Sequence, residues 1–311
     1  MEPHQSKGVE KRFIFSIVLT SLILVAEVIG GIWTGSLALL SDAGHVFMDI
    51  FALALSYIAL RLSTLPPDNR HSYGYHRLEV FAALANGLTL LVIAVGIFYE
   101  AVQRFMHPTS VKSMEMLIIA AIGLVVNMVV AFALNGHTHE PGAESAASER
   151  KDLNLHSAFL HVLGDMISSV GVILAALLIS WTGLQWIDPL TSVLIGVIIS
   201  VSSVRVLRGS LHILIEGVPE DLSLEAIEKA IVEVPNVQEV HDLHVWSLCS
   251  GRVALSAHVV CCDCSGADAT QLMNRVHEMV AQKFGIQHTT IQVEPGCTCG
   301  GAPVCGTAHL R

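Results

Sequence analysis

Ser36-Leu37-Ala38-Leu39-Leu40-Ser41-Asp42-Ala43-Gly44-His45-Val46-Phe47-Met48-Asp49 sets an imidazole and a carboxylate four residues apart inside an apolar run. At that spacing His45 and Asp49 share one face of a helix. The run extends over about 37–60, and at ~1.5 Å per residue it crosses the ~30 Å of hydrocarbon in a bilayer. Ionisable groups at such depth are costly and mark a site or a pathway. A second copy of the pattern, His161-Val162-Leu163-Gly164-Asp165, lies in another run at 153–180. Further apolar runs occupy about 13–33, 80–103, 114–134 and 188–207.

The composition agrees. Of 311 residues, 52% are apolar and only 14% are charged, against roughly a quarter charged in soluble domains. The mean hydropathy is +0.61. An ordinary soluble enzyme and a disordered chain are excluded, and a net charge of −10 repels phosphate backbones, so no nucleic-acid partner is expected. The first apolar run is too long for a cleaved signal segment. Beyond residue 208 the texture changes to twelve acidic and five basic residues. The reading is a membrane α-helical protein with six transmembrane helices and a cytoplasmic ferredoxin-like α+β C-terminal domain. Its parts are an N-terminal tail (1–12), a six-helix transmembrane domain (13–208), a domain of soluble texture (209–295) and a Cys-containing tail (296–311).

Basic residues set the expected orientation. Lys7, Lys11, Arg12, Arg61, Arg70, Arg77, Arg150, Lys151, Arg205 and Arg208 flank one side, and only Arg104 and Lys112 the other. Both termini are therefore expected in the cytoplasm. All seven cysteines lie at 249 or later, in a reducing compartment where disulfides are not expected. The C-terminal region reads α-β-β-α-β: a helix N-capped by Ser223, strands Val237–Leu248 and Arg252–Cys262 joined at Ser250-Gly251, a second helix marked by Leu272, Val276, Met279 and Val280, and a strand Gln287–Glu294.

Depth ties the two intramembrane pairs together. With Leu37 at the outer edge, His45 lies about 12 Å and Asp49 about 18 Å deep. With Leu153 at the inner edge of a ~30 Å core, His161 lies about 18 Å and Asp165 about 12 Å below the same outer edge. Two imidazoles and two carboxylates near the midplane form a tetrahedral set suited to Zn²⁺, and the carboxylates balance its charge. Ca²⁺ and Mg²⁺ want more oxygen ligands. The plainer reading of each pair is an interhelical hydrogen bond, and two pairs matched in depth argue against it.

The chain resembles the cation diffusion facilitator family of divalent-metal/proton antiporters over about 12–295. The resemblance rests on Ser36–Asp49, on Tyr73-Gly-Tyr-His-Arg-Leu-Glu79, on Leu160-His-Val-Leu-Gly-Asp165 and on His241-Asp-Leu-His-Val-Trp-Ser-Leu248. It implies six spans, a cytoplasmic ferredoxin-like domain, a homodimer in the bilayer, and a transport site of His45, Asp49, His161 and Asp165 with zinc preference. It also implies a cytoplasmic metal site at His241, His258 and Glu294, with His288 a further candidate and His244 an alternative.

In the second-to-third loop, Asp68, His71 and His76 stand where some members bind a second metal. Tyr75 occupies the place of the family's further histidine, and a polar loop at the headgroups is the competing reading. His137, His139 and Glu140 form a lean version of a histidine loop. Cys297 and Cys299 are similar to a terminal zinc-binding pair in some relatives but differ in spacing, and Cys305 and His309 follow them. Glu27, Asn86 and Asn127 join helices rather than bind ions. Asp42, one turn before His45, either lines the outer half of the path or caps the span.

The expectation is a secondary transporter exporting Zn²⁺, with Cd²⁺ or Co²⁺ as further substrates. Protons competing for the same ligands would release the metal on the far side. Histidine is the natural proton carrier. Zn²⁺ is substrate and regulatory ligand, and no organic cofactor is expected. The alternatives are a membrane-bound metalloenzyme, which the lack of an accompanying nucleophile–base set disfavours, and a membrane-tethered metal sensor. The short N-terminus and lean histidine loop point to a bacterial inner membrane.

Overall fold

The computed structural model describes residues 3–135, 166–249, 251–261 and 266–296. The chain divides into two units, one of residues 1–57 and 85–207, the other of 58–84 and 208–311.

The first unit is helical. Its elements are α1 (Pro3–Thr34), α2 (Leu37–Ser63), α3 (Arg77–Met106) and α4 (Ser113–Asn135), then α5 (Met166–Thr182) and α6 (Ile187–Leu214). The ends of α2, α3 and α6 run on into the second unit. Among the described residues α2, α3, α4 and α6 are long and apolar enough to cross a membrane, and two shorter apolar segments, Val18–Thr34 and Met166–Thr182, accompany them. α1 begins at Pro3, well before the apolar run, so the expected tail of residues 1–12 is largely helical.

α1 packs along α4. Small residues permit the approach: a Cβ on Gly123 would stand 2.7 Å from the Glu27 carboxylate. The core of this unit gathers Leu39 of α2, Ala94 of α3, Met116 of α4, Val172 of α5 and Ile199 of α6, each at most 2% exposed.

The second unit carries the sheet. α7 (Leu224–Val232) is capped by Ser223, whose hydroxyl accepts the Ala226 N–H at 3.4 Å. Its buried Ile227 and Ile231 contribute roughly 1.5–3 kcal/mol each. β1 (Val237–Cys249) pairs antiparallel with β2 (Arg252–Cys261) through a turn in which Gly251 takes φ +78°. α8 (Gly266–Phe284) then crosses to β3 (His288–Pro295), parallel to β2. The order is β1-β2-β3. This is the ferredoxin-like arrangement without its first strand, so the two strands that would flank that strand pair directly. Leu255, Ala257, Val259 and Cys261 are buried on one face of β2, while Ser256, His258 and Val260 are half-exposed on the other.

Candidate metal sites

On α2, His45 Nε2 lies 4.0 Å from Asp49 Oδ2, and each side chain is 22% exposed. One turn toward the start of α2, buried Asp42 accepts Ser168 Oγ–H at 2.6 Å and Ser169 Oγ–H at 3.3 Å from α5. At the start of α2, Asp188 of α6 is fully buried. It accepts the Ser36 hydroxyl at 2.6 Å and the backbone N–H groups of Leu37 at 2.7 Å and Ala38 at 3.1 Å. Arg104 at the end of α3 stands 3.6 Å from the same carboxylate and donates to the Gly35 carbonyl. The orphan N–H groups of a helix start are thus answered by a carboxylate from another helix. This clamp, which sequence reading missed, fixes the height of His45 and Asp49. Because α6 starts against the start of α2 and follows closely on the end of α5, α2 and α5 run in opposite directions. His161 and Asp165 lie outside the described residues, as do His137, His139, Glu140, Cys297, Cys299, Cys305 and His309.

In the second unit the register sets His241 of β1 opposite His258 of β2, with ring centroids 5.1 Å apart. Glu294 of β3 bridges them: His241 Nε2 is 3.2 Å from Oε2, and His258 Nδ1 is 2.9 Å from Oε1. Gln292 donates to Oε1 at 2.9 Å. Burial would raise the Glu294 carboxyl pKa, but the hydrogen bonds to His241 and His258 outweigh it and hold the group below its ordinary value. The bridge is therefore intact above the usual carboxylate pKa of ~4.3 and is lost as pH falls through the lower folded value.

Asp242 joins this cluster. A bulge between His241 and His244 inserts one residue, and Asp242 sits at φ +47°. Bulges re-aim side chains. Here neighbours that would point to opposite faces converge, so ligand atoms of His241, Asp242 and His258 all lie within 4.8 Å of one another. His288 is not brought in. It pairs with Ala254, roughly 20 Å along the strand from Glu294 at ~3.3 Å per residue, and its ring meets Tyr73 edge-on at 5.7 Å.

The loop candidates separate. Asp68 Oδ1 takes the Arg70 N–H at 2.8 Å, the His71 N–H at 2.6 Å and His71 Nδ1 at 3.1 Å, while Oδ2 takes the Tyr75 hydroxyl at 2.8 Å. Tyr75 and then the two backbone donors lower the Asp68 pKa to about 2. His76 instead faces Arg252 Nη1 at 2.8 Å. His71 thus turns to Asp68 and His76 to Arg252, so Asp68, His71 and His76 form no three-ligand set. Cys249 is a buried thiol whose pKa is raised by burial and by Glu79. Cys261 is fully buried at the end of β2.

Two family models match the chain, one after the other. A family model described as the cation efflux transmembrane domain matches residues 13–215, and one described as the cation efflux protein cytoplasmic domain matches 219–296. The zinc transporter ZitB of Pectobacterium atrosepticum is 40% identical over 293 residues, covering 94% of this chain and 87% of that protein. The cadmium, cobalt and zinc/H(+)-K(+) antiporter of Bacillus subtilis is 38% identical over 291 residues, covering 94% and 91%. The metal-bound C-terminal domain of the CzcD transporter from Cupriavidus metallidurans is 38% identical, spans 24% of this chain and 99% of that one, and superposes with a TM-score of 0.22. With both of its parts matched in sequence order, this multi-pass membrane chain belongs to the cation efflux family.

Proposed function

We propose that the protein exports Zn²⁺ from the cytoplasm in exchange for protons, through a midplane site of His45, Asp49, His161 and Asp165. The contact between Ser168 and Asp42 carries the reading. In antiparallel helices each step along one is matched by an equal step back along the other. Three residues on from Asp42 is His45, and three back from Ser168 is Asp165. Four more in each direction give Asp49 and His161. In sequence the two pairs thus stand at matched distances from this contact, in opposite directions.

Such a set binds Zn²⁺ when deprotonated, with the two carboxylates balancing its charge. Protons arriving on the other side compete for every donor and release the ion. The named relatives carry zinc, cadmium or cobalt, and one exchanges them for protons and potassium, which supports the same cargo here. The family is one of transporters, so the metalloenzyme alternative falls. The charge asymmetry of the loops supports cytoplasmic termini. The family's cytoplasmic domain supports a homodimer, with the half-exposed face of the sheet as a site for regulatory zinc.

Purified protein in sealed proteoliposomes should move protons when Zn²⁺ is added, and a silent pH dye under a zinc gradient overturns the reading. In the same vesicles His45→Asp should broaden selectivity toward Cd²⁺ or Mn²⁺, because oxygen donors suit harder ions. An unchanged zinc preference in competition would remove His45 from selectivity. For the second unit, replacing His241 and His258 together by Ala should remove one zinc per chain in calorimetry and slow transport without abolishing it. Unaltered zinc stoichiometry would exclude the His241–His258–Glu294 cluster as a binding site.

A further inference from the structure

We infer that Asp242 is a positioning residue for the cytoplasmic metal site: its carboxylate holds the Nδ1 proton of His241 and so commits Nε2 to the metal. This takes His241, His258 and Glu294 as the regulatory zinc site proposed above. An imidazole that ligates through one nitrogen carries its proton on the other. His241 Nε2 lies 3.2 Å from Glu294 Oε2, and His258 Nδ1 lies 2.9 Å from Oε1. Both separations are close to the ~3.3 Å between neighbouring ligand atoms of a tetrahedral zinc with bonds of ~2.0 Å. Nε2 is therefore the nitrogen of His241 that faces the metal position, and Nδ1 must keep the proton. Nδ1 in turn faces Asp242 Oδ2 at 3.8 Å. A small turn of the Asp242 side chain, which is 67% exposed, closes that distance to a hydrogen bond. Because the carboxylate stays in water, it keeps its charge without a burial cost.

The backbone leaves its regular course to put Asp242 there. Pairing runs from His241 opposite His258 to His244 opposite Ser256, with one residue too many on β1. Asp242 takes φ +47°, a conformation uncommon for residues with a side chain and tolerated best by Asp and Asn. Strict alternation would have turned Asp242 onto the face of its neighbour-but-one Val240, which is buried. A bulge that only kept an acid out of the core could leave the carboxylate anywhere in water. Here it stands at the second nitrogen of a ligand. A carboxylate at that nitrogen fixes the ring and strengthens the other nitrogen as a donor. Asp242 thus sets how tightly the metal is held and leaves the number of ligands unchanged.

The test is calorimetry with Zn²⁺ on the full-length protein, the cytoplasmic zinc being the one lost when His241→Ala and His258→Ala are combined. Asp242→Gly removes the carboxylate and suits the positive φ. It should weaken that zinc about tenfold without changing the number bound. Asp242→Asn, whose side-chain oxygen still accepts the Nδ1 proton, should stay within about threefold of the unchanged protein. Normal affinity in Asp242→Gly overturns the proposal, and so does an equal loss in Asp242→Asn. Co²⁺ bound in the same place should keep its visible band positions in Asp242→Gly, because the ligands are the same. Shifted bands would make Asp242 a ligand and overturn its positioning role. If the double histidine variant loses no zinc, the site itself falls. If that variant loses one while Asp242→Gly binds normally, only the role of Asp242 falls.

Discussion

Asp49→Ala protein should insert into membranes, retain its dimer and carry no zinc above the level of empty vesicles. In the proposed site the carboxylate supplies a ligand and also one of the two negative charges that would make a divalent ion tolerable at the midplane. Burying a partly uncompensated charge there is costly by any estimate. Asp49→Asn sharpens the result, since it keeps the shape and loses the charge, and it should fail nearly as completely. Radiozinc uptake at matched protein density measures both. Near-normal flux in Asp49→Ala would remove the proposed site. Loss of inserted protein would instead place Asp49 in the fold.

The second large effect belongs to Asp188. Its carboxylate answers Ser36, the N–H groups of Leu37 and Ala38, and Arg104. Asp188→Ala leaves those donors buried and an arginine that is 13% exposed with only the half-exposed Glu100, 3.1 Å from its Nε, as counter-ion. Removing one member of a buried pair typically costs about 3–5 kcal/mol. The expected result is a strongly lowered melting temperature in detergent and little protein in the membrane. Combining it with Arg104→Ala should restore part of the loss, because the stranded charge goes too. A melting temperature equal to that of the unchanged protein would show that water, not Asp188, satisfies the start of α2.

The helices were legible because ~20-residue apolar runs have few other uses, and the C-terminal order because periods of two and of 3.6 alternate cleanly there. His241, His258 and Glu294 came from the family resemblance, and the strand register brings them together. Period reports a face and not a distance, which is why His288 shared the face of Glu294 and still ended against Tyr73. Asp242 was illegible for a related reason. A strict alternation points it away from His241, and no residue type around it announces the bulge. Asp188 was missed because an acid at the start of a span reads as a solvated cap, and only the packed bundle shows that it caps another helix. The His76–Arg252 contact joins residues far apart in sequence, and local pattern carries no information about it.

The second unit is assembled from two pieces of chain, residues 58–84 and 208–311, and this sets an order of events during synthesis. Tyr73, His76 and Arg77 leave the ribosome long before their partners His288, Arg252 and Glu216. At 5–20 residues per second the gap between the pieces alone takes about 6–25 s. For that interval the loop between α2 and α3 waits in water, its own turn held by Asp68, while four further helices enter the bilayer. Biogenesis therefore ends with a late closure, in which the last third of the chain folds onto a surface laid down in the first.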